Sequence, residues 1–145
     1  AVGGGVGVAS SCDYTLATKF ASVKLSELAI GIGPFVVGPA VERKTGTSAF
    51  SQLALDATTW YDASWAKTNG IYAEVLDDVE ALDAAVNKLA TTLSNSNPEA
   101  LSMLKDIFWQ GTDHWDTLLY ERAQTSGTLV LSEFTRNAIN KFKAK

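Results

Sequence analysis

The sequence predicts an α/β fold that gives way to an all-helical C-terminal region, and three observations carry that reading. Short β-prone segments at 13–18, 22–25 and 71–76 alternate with helix-periodic stretches in the first half. Beyond residue 77, apolar residues recur at helical spacing, with Val79, Leu82, Val86, Leu89 and Leu93 on one stripe. Gly31, Gly33, Pro34, Gly46 and Gly70 punctuate the first half at the places where one periodicity yields to another. The boundary falls near residue 77, which divides the chain into an α/β part at 1–77 and a helical part at 78–145. The chain shows no internal repeat and no low-complexity linker.

Taken in order, residues 4–11 are small and apolar on nearly every side, which predicts a short buried helix. Residues 13–18 alternate and read as a strand, and 22–25 as an extended segment that delivers Glu27. After the turn at Gly31, Gly33 and Pro34 a helix is expected from 35 to 44, with Gly46 as its C′ residue. Helical pattern resumes at 48–55 and breaks at Asp56. Asp62 is suited to cap a helix that ends near Asn69 and Gly70, and 71–76 reads as the last strand. Asn97 and Pro98 mark a further helix start, with proline at its first position. The final helix is expected to present Leu131, Phe134, Ala138 and Phe142 on one face.

Composition bounds the function classes. Of the 145 residues, 46% are hydrophobic and 19% charged, as in a globular chain with a core. A formal net charge of −4 and scattered lysines argue against nucleic-acid binding. The single cysteine, Cys12, excludes an internal disulfide and fits a reducing, cytoplasmic setting. No apolar run approaches membrane-spanning length and no cationic leader precedes the apolar start, so a membrane partner is not expected.

The chemistry concentrates near the start. Gly3, Gly4, Gly5 and Gly7 open the first helix, and Glu27 follows about twenty residues later. Glycines permit close backbone approach to a ligand. A helix starting there aims free N–H groups and a positive dipole end at an anionic oxygen. With Glu27 as acid or base, this is equipment for stabilising an enolate and moving a proton beside it. Leu25, Leu28, Ala29 and Ile30 surround Glu27 with apolar neighbours, which should raise its pKa. The run of residues 5–10 also imitates a dinucleotide-binding fingerprint, but that fingerprint wants a preceding strand, a third glycine where Ser10 stands and an acidic residue after the second strand. His114 has no partners for a metal site and reads as a surface residue. Cys12 reads as inert core. Arg136, Lys141, Lys143 and Lys145 suit a solvated helix terminus.

These residues resemble the crotonase (enoyl-CoA hydratase/isomerase) family. Gly3, Gly4 and Gly5 resemble its second oxyanion-hole segment, with the Gly4 N–H as donor. Cys12 and Asp13 resemble the end of the family's helix, and residues 26–31 its catalytic-carboxylate segment centred on Glu27. The likeness continues through 40–46 and 63–71 into the C-terminal helices and covers essentially the whole chain. It implies the crotonase (ClpP/crotonase spiral) α/β fold, here its C-terminal portion. The family's N-terminal region, which carries most core strands, the first oxyanion donor and much of the CoA adenine site, has no counterpart in these residues. The resemblance further implies an acyl-CoA substrate, with CoA entering as part of it and no separate cofactor or metal. Gly3, Leu25, Ile30, Pro34 and Phe35 would meet the substrate, and Arg136 would approach the CoA phosphates of a neighbouring subunit. The helical tail would cap the active site and build a homotrimer or a dimer of trimers. Phe108, Trp109, Trp115 and Tyr120 fit that interface, or else intrachain packing.

One departure bears on the reaction. Family hydratases carry a glutamate where this chain has Gly7, paired with the one matched by Glu27. Adding water requires the water to be held, deprotonated and its proton returned, which two carboxylates do more readily than one. Moving a double bond needs one base that takes a proton from C2 and returns it to C4. The turn at 30–35 also resembles the isomerase branch. The expected function is therefore enoyl-CoA isomerisation through a thioester enolate. The alternatives are an enoyl-CoA hydratase of fatty-acid or branched-chain degradation, or a non-catalytic assembly module.

Overall fold

In the computed structural model, Val2 bridges Lys24 in parallel, and the Gly3 N–H donates to the Lys24 carbonyl at 2.9 Å. The first glycines are thereby tied to the segment that leads into Glu27. The structure describes residues 1–143, with side chains as far as Lys141. The expectations for the side chains of Phe142 and Lys143, and for Lys145, therefore lie outside what is described.

The first helix, α1 (Gly4–Ser11), buries only Val6, Gly7 and Ser10. Val8 and Cys12 are exposed, so the expectations of a helix buried all round and of a core cysteine are both corrected. An eight-residue helix has one inner face, and Cys12 stands just past its end, beyond the core. Strand β1 (Leu16–Thr18) pairs in parallel with β4 (Glu74–Leu76), with Ala17 opposite Val75. Strand β2 (Ser22–Val23) pairs antiparallel with β3 (Tyr61–Asp62). The strands are shorter than the β-prone segments, because backbone pairing stops where the turns begin.

Helix α2 (Gly38–Leu55) starts three residues later than expected. Pro34 and Phe35 belong to the preceding turn, in which Phe35 N–H donates to the Gly33 carbonyl at 2.8 Å. Non-helical angles at Gly46 divide α2, which accounts for the two helical stretches read from the sequence. Asp62 caps α3 (Ala63–Thr68) by accepting from the Trp65 N–H at 2.7 Å. The core consists of Val6, Ala17, Val23, Leu25, Val41, Leu53, Ala63, Ala66, Ile71 and Tyr72, all from the first half. Full burial of each larger aliphatic side chain contributes about 1.5–3 kcal/mol before entropic costs.

The second half is helical as expected. Asp78 caps α4 (Val79–Ser94), and Asn97 caps α5 (Pro98–Phe108) with proline in its first turn. Helices α6 (Trp115–Val130) and α7 (Glu133–Lys143) complete the chain. Leu131 lies between α6 and α7, so its expected place on the last helix is corrected; it and Phe134 are largely exposed. The docked face of α7 is centred on Thr135, which is 0% exposed and lies against the turn after Glu27. No helix among the described residues is long and apolar enough to cross a membrane.

Candidate active site

Gly3 precedes α1 at φ 52 and ψ −116, a backbone conformation that side-chain-bearing residues rarely adopt. It also stands against Glu27, since a Cβ on Gly3 would lie 3.0 Å from Glu27 Oε1. The absence of a side chain therefore serves both the bend into α1 and the approach of the carboxylate. One residue on, Gly4 is the first residue of α1, and its N–H has no acceptor among the described residues. A Cβ there would meet nothing within 4 Å, so the backbone at this residue is open on its Cα side.

Glu27 begins a 3-10 turn over Leu28–Ile30 that closes at Gly31. Its carbonyl accepts from Ile30 and Ile32, which fixes the backbone, while its carboxylate points back to Gly3. Glu27 Oε2 is buried and has no hydrogen-bond partner among the described residues. Burial holds the carboxyl above its ordinary value of 4.5, as the sequence predicts. The source of that burial differs from expectation. Leu25 is 1% exposed, whereas Leu28 and Ala29 face outward, because the 3-10 turn lifts them away from the core.

The other expected substrate contacts divide. Gly3 adjoins Glu27. Leu25 is sealed in the core and offers a ligand only its backbone. Ile30 is half-buried, Pro34 is buried, and the Phe35 ring folds over Gly33, where a Cβ would stand 2.5 Å from it. Arg136 is exposed, and its side chain makes no hydrogen bond or ion pair among the described residues. His114 is exposed just before α6.

Position 7 is closed. A Cβ on Gly7 would lie 2.7 Å from Val37 Cγ1, so a glutamate there requires Val37 to move. Gly4 and Gly7 line a cleft of about 480 Å³ together with Val36, Val37, Trp109 and Trp115. Sequence reasoning missed Val36 and Val37, and it assigned both tryptophans elsewhere. The available signal was a pair of tryptophans flanking the α5–α6 turn, but periodicity does not say which element they face.

A family model described as enoyl-CoA hydratase/isomerase matches residues 1–142. The chain belongs to the enoyl-CoA hydratase/isomerase family. The fold agrees, being the C-terminal portion of the crotonase α/β fold with its helical region. This family member aligns with an enoyl-CoA hydratase from Mycobacterium avium subsp. paratuberculosis K-10 at a TM-score of 0.87 and 25% identity, over 99% of this chain and 58% of that one. An enoyl-CoA hydratase/isomerase from Pseudoalteromonas atlantica T6c shares the fold at a TM-score of 0.89 with 18% identity, over 99% of this chain and 58% of that one. Two curated relatives from Alternaria alternata, the enoyl-CoA hydratases AKT6-1 and ACTT6, are each 30% identical. They match over 74% and 72% of this chain and 36% and 35% of their own lengths. The chain thus spans about a third of those relatives and somewhat over half of the solved structures.

Proposed function

We propose that these residues form the proton-transfer side of an acyl-CoA site that shifts the double bond of an enoyl-CoA. The observation that carries the reading is the pairing of Glu27 with the start of α1. A carboxylate with one buried oxygen unpartnered among the described residues lies against Gly3, one residue before an N–H that has no acceptor among them. In this reading Glu27 takes a proton from C2 of a 3-enoyl thioester. The electrons move onto the thioester oxygen, where the Gly4 N–H holds the developing charge. Such a donor is worth about 3–4 kcal/mol of barrier. Glu27 then returns the proton to C4 as the 2-enoyl product forms, with no separate cofactor. A carboxyl held above its ordinary value is a better base near neutral pH than an exposed glutamate.

Glycine at position 7 favours isomerisation, because it supplies no second carboxylate at that point of the helix, and Val37 would have to move to admit one. The hydratase reading draws on the likeness to the Alternaria enoyl-CoA hydratases, and it requires a second acid from another position. A paired assay on the intact protein separates the two. Conversion of 3-hexenoyl-CoA to the conjugated product, with 2-hexenoyl-CoA left unhydrated, is the expected result. Hydration of 2-hexenoyl-CoA would instead establish the hydratase.

A further inference from the structure

The cleft that opens at Gly4 runs along the outer face of α1, with Val8 and Cys12 on its floor. The helix has eight residues, so the cleft extends about 12 Å from the Gly4 donor. At its far end stand Trp109 and Trp115, in edge contact with ring centroids 5.8 Å apart. Trp109 is held from three directions. Its Nε1–H donates to Asp13 Oδ1 at 2.7 Å, two residues beyond the end of α1. Lys105 Nζ donates to Asp13 Oδ2 at 2.6 Å and lies 4.7 Å from the Trp109 ring centroid. The Arg43 guanidinium lies 4.3 Å from the same centroid and donates to the Phe108 carbonyl. A ring fixed by an N–H bond and two cations within cation–π range does not swing aside for a ligand.

We infer that Trp109 is the specificity-determining end wall of the acyl cleft, and that Asp13 is the positioning residue that sets it. This rests on the acyl-thioester reading above, since it takes the occupant to be the acyl chain of a substrate whose thioester oxygen meets Gly4. The lining at Gly7, Val8, Val36 and Val37 is apolar, and the Ser11 hydroxyl there already donates to the Gly7 carbonyl at 2.9 Å, which suits an aliphatic tail. A hexanoyl chain fits within the length of α1, whereas a dodecanoyl chain overruns it and meets Trp109.

Calorimetric titration of the intact protein with hexanoyl-CoA and dodecanoyl-CoA tests the assignment without depending on turnover. Trp109→Ala should raise the preference for dodecanoyl-CoA by about tenfold or more, with hexanoyl-CoA affinity held within about twofold. Trp109→Phe keeps the ring and should keep most of the wild-type ratio. Asp13→Ala leaves the ring in place without the acceptor for its Nε1–H, and should move the ratio in the same direction by a smaller factor. Should Trp109→Ala lose its cooperative melt, Trp109→Leu and Asp13→Ala decide the matter. An unchanged ratio in variants that still bind hexanoyl-CoA overturns the assignment, because a residue that only packs the helices would shift melting and not chain-length preference. Wild-type protein that binds both thioesters yet isomerises neither enoyl substrate overturns the proposed reaction while leaving the wall in place. Wild-type protein that binds neither overturns both.

Discussion

Glu27 carries opposing demands from folding and from chemistry. Burial disfavours its ionised form, and among the described residues its second carboxylate oxygen finds no donor to compensate. A carboxyl raised in the fold costs nothing while it is protonated in both states. The penalty appears as pH rises past the unfolded value near 4.5 and is complete above the folded value. Glu27→Gln removes that penalty, since the amide is neutral throughout. The variant should therefore melt higher than wild type near neutrality, and the difference should vanish at about pH 4. In the same variant kcat should fall by about 10²–10⁴-fold, the usual contribution of a positioned acid or base. Melting curves across this range check the first half and steady-state kinetics the second. A melting difference that ignores pH would mean that the carboxylate is solvated after all.

At the scale of elements, the turn that carries Glu27 is held from outside by α7. Gly31 closes that turn at φ 85, and a Cβ there would lie 2.5 Å from Phe134 Cδ1 and 2.7 Å from Thr135 Oγ1. Gly31→Ala adds a left-handed strain of about 1–2 kcal/mol to a collision that pushes α7 away. Gly111→Ala is the matched control, with φ 82 and nothing within 4 Å of its Cβ, so it bears the backbone cost alone. Gly31→Ala should lower the melting temperature more than the control and strip amide-exchange protection from α7, while α4 keeps its own. Equal losses in the two variants would show that the docking of α7 contributes nothing. This element also shows what was legible in the sequence. The caps at Asp62 and Asn97 could be read because their acceptors and donors lie within a few residues. The contact of Phe134 and Thr135 with Gly31 could not be read, because periodicity groups residues on a face without saying which face docks. That choice depends on Gly31, about a hundred residues away in the chain. Likewise, the identity of Gly7 was readable, but its closure by Val37 was not.

Across the whole molecule, the apolar surface is unevenly settled. Every residue of the core cluster falls between positions 6 and 72, whereas the only fully buried side chain in the described helical half is Thr135. The stripe Val79, Val86 and Leu93 on α4 is exposed, and so are Met103, Ile107 and Phe108 on α5 and Tyr120 on α6. Ile107 and Tyr120 expose 63% and 66% of their surface, a large outlay of apolar area for elements that form so regularly. Helices capped as well as α4 and α5 hold their shape locally, but local shape does not bury a face. Association between copies would bury it. The expectation from the family resemblance is a homotrimer or a dimer of trimers. Light scattering on the intact protein at micromolar concentration should give a mass at a multiple of three protomers. Ile107→Lys places a charge on the exposed apolar face of α5 and leaves the core cluster and the Glu27 turn untouched. It should shift the mass towards the monomer while the circular dichroism spectrum stays as it was. A wild-type protein that runs as a monomer would mean that these faces are covered within one copy. The helical half would then owe its order to intrachain packing, the other role its aromatic residues could serve.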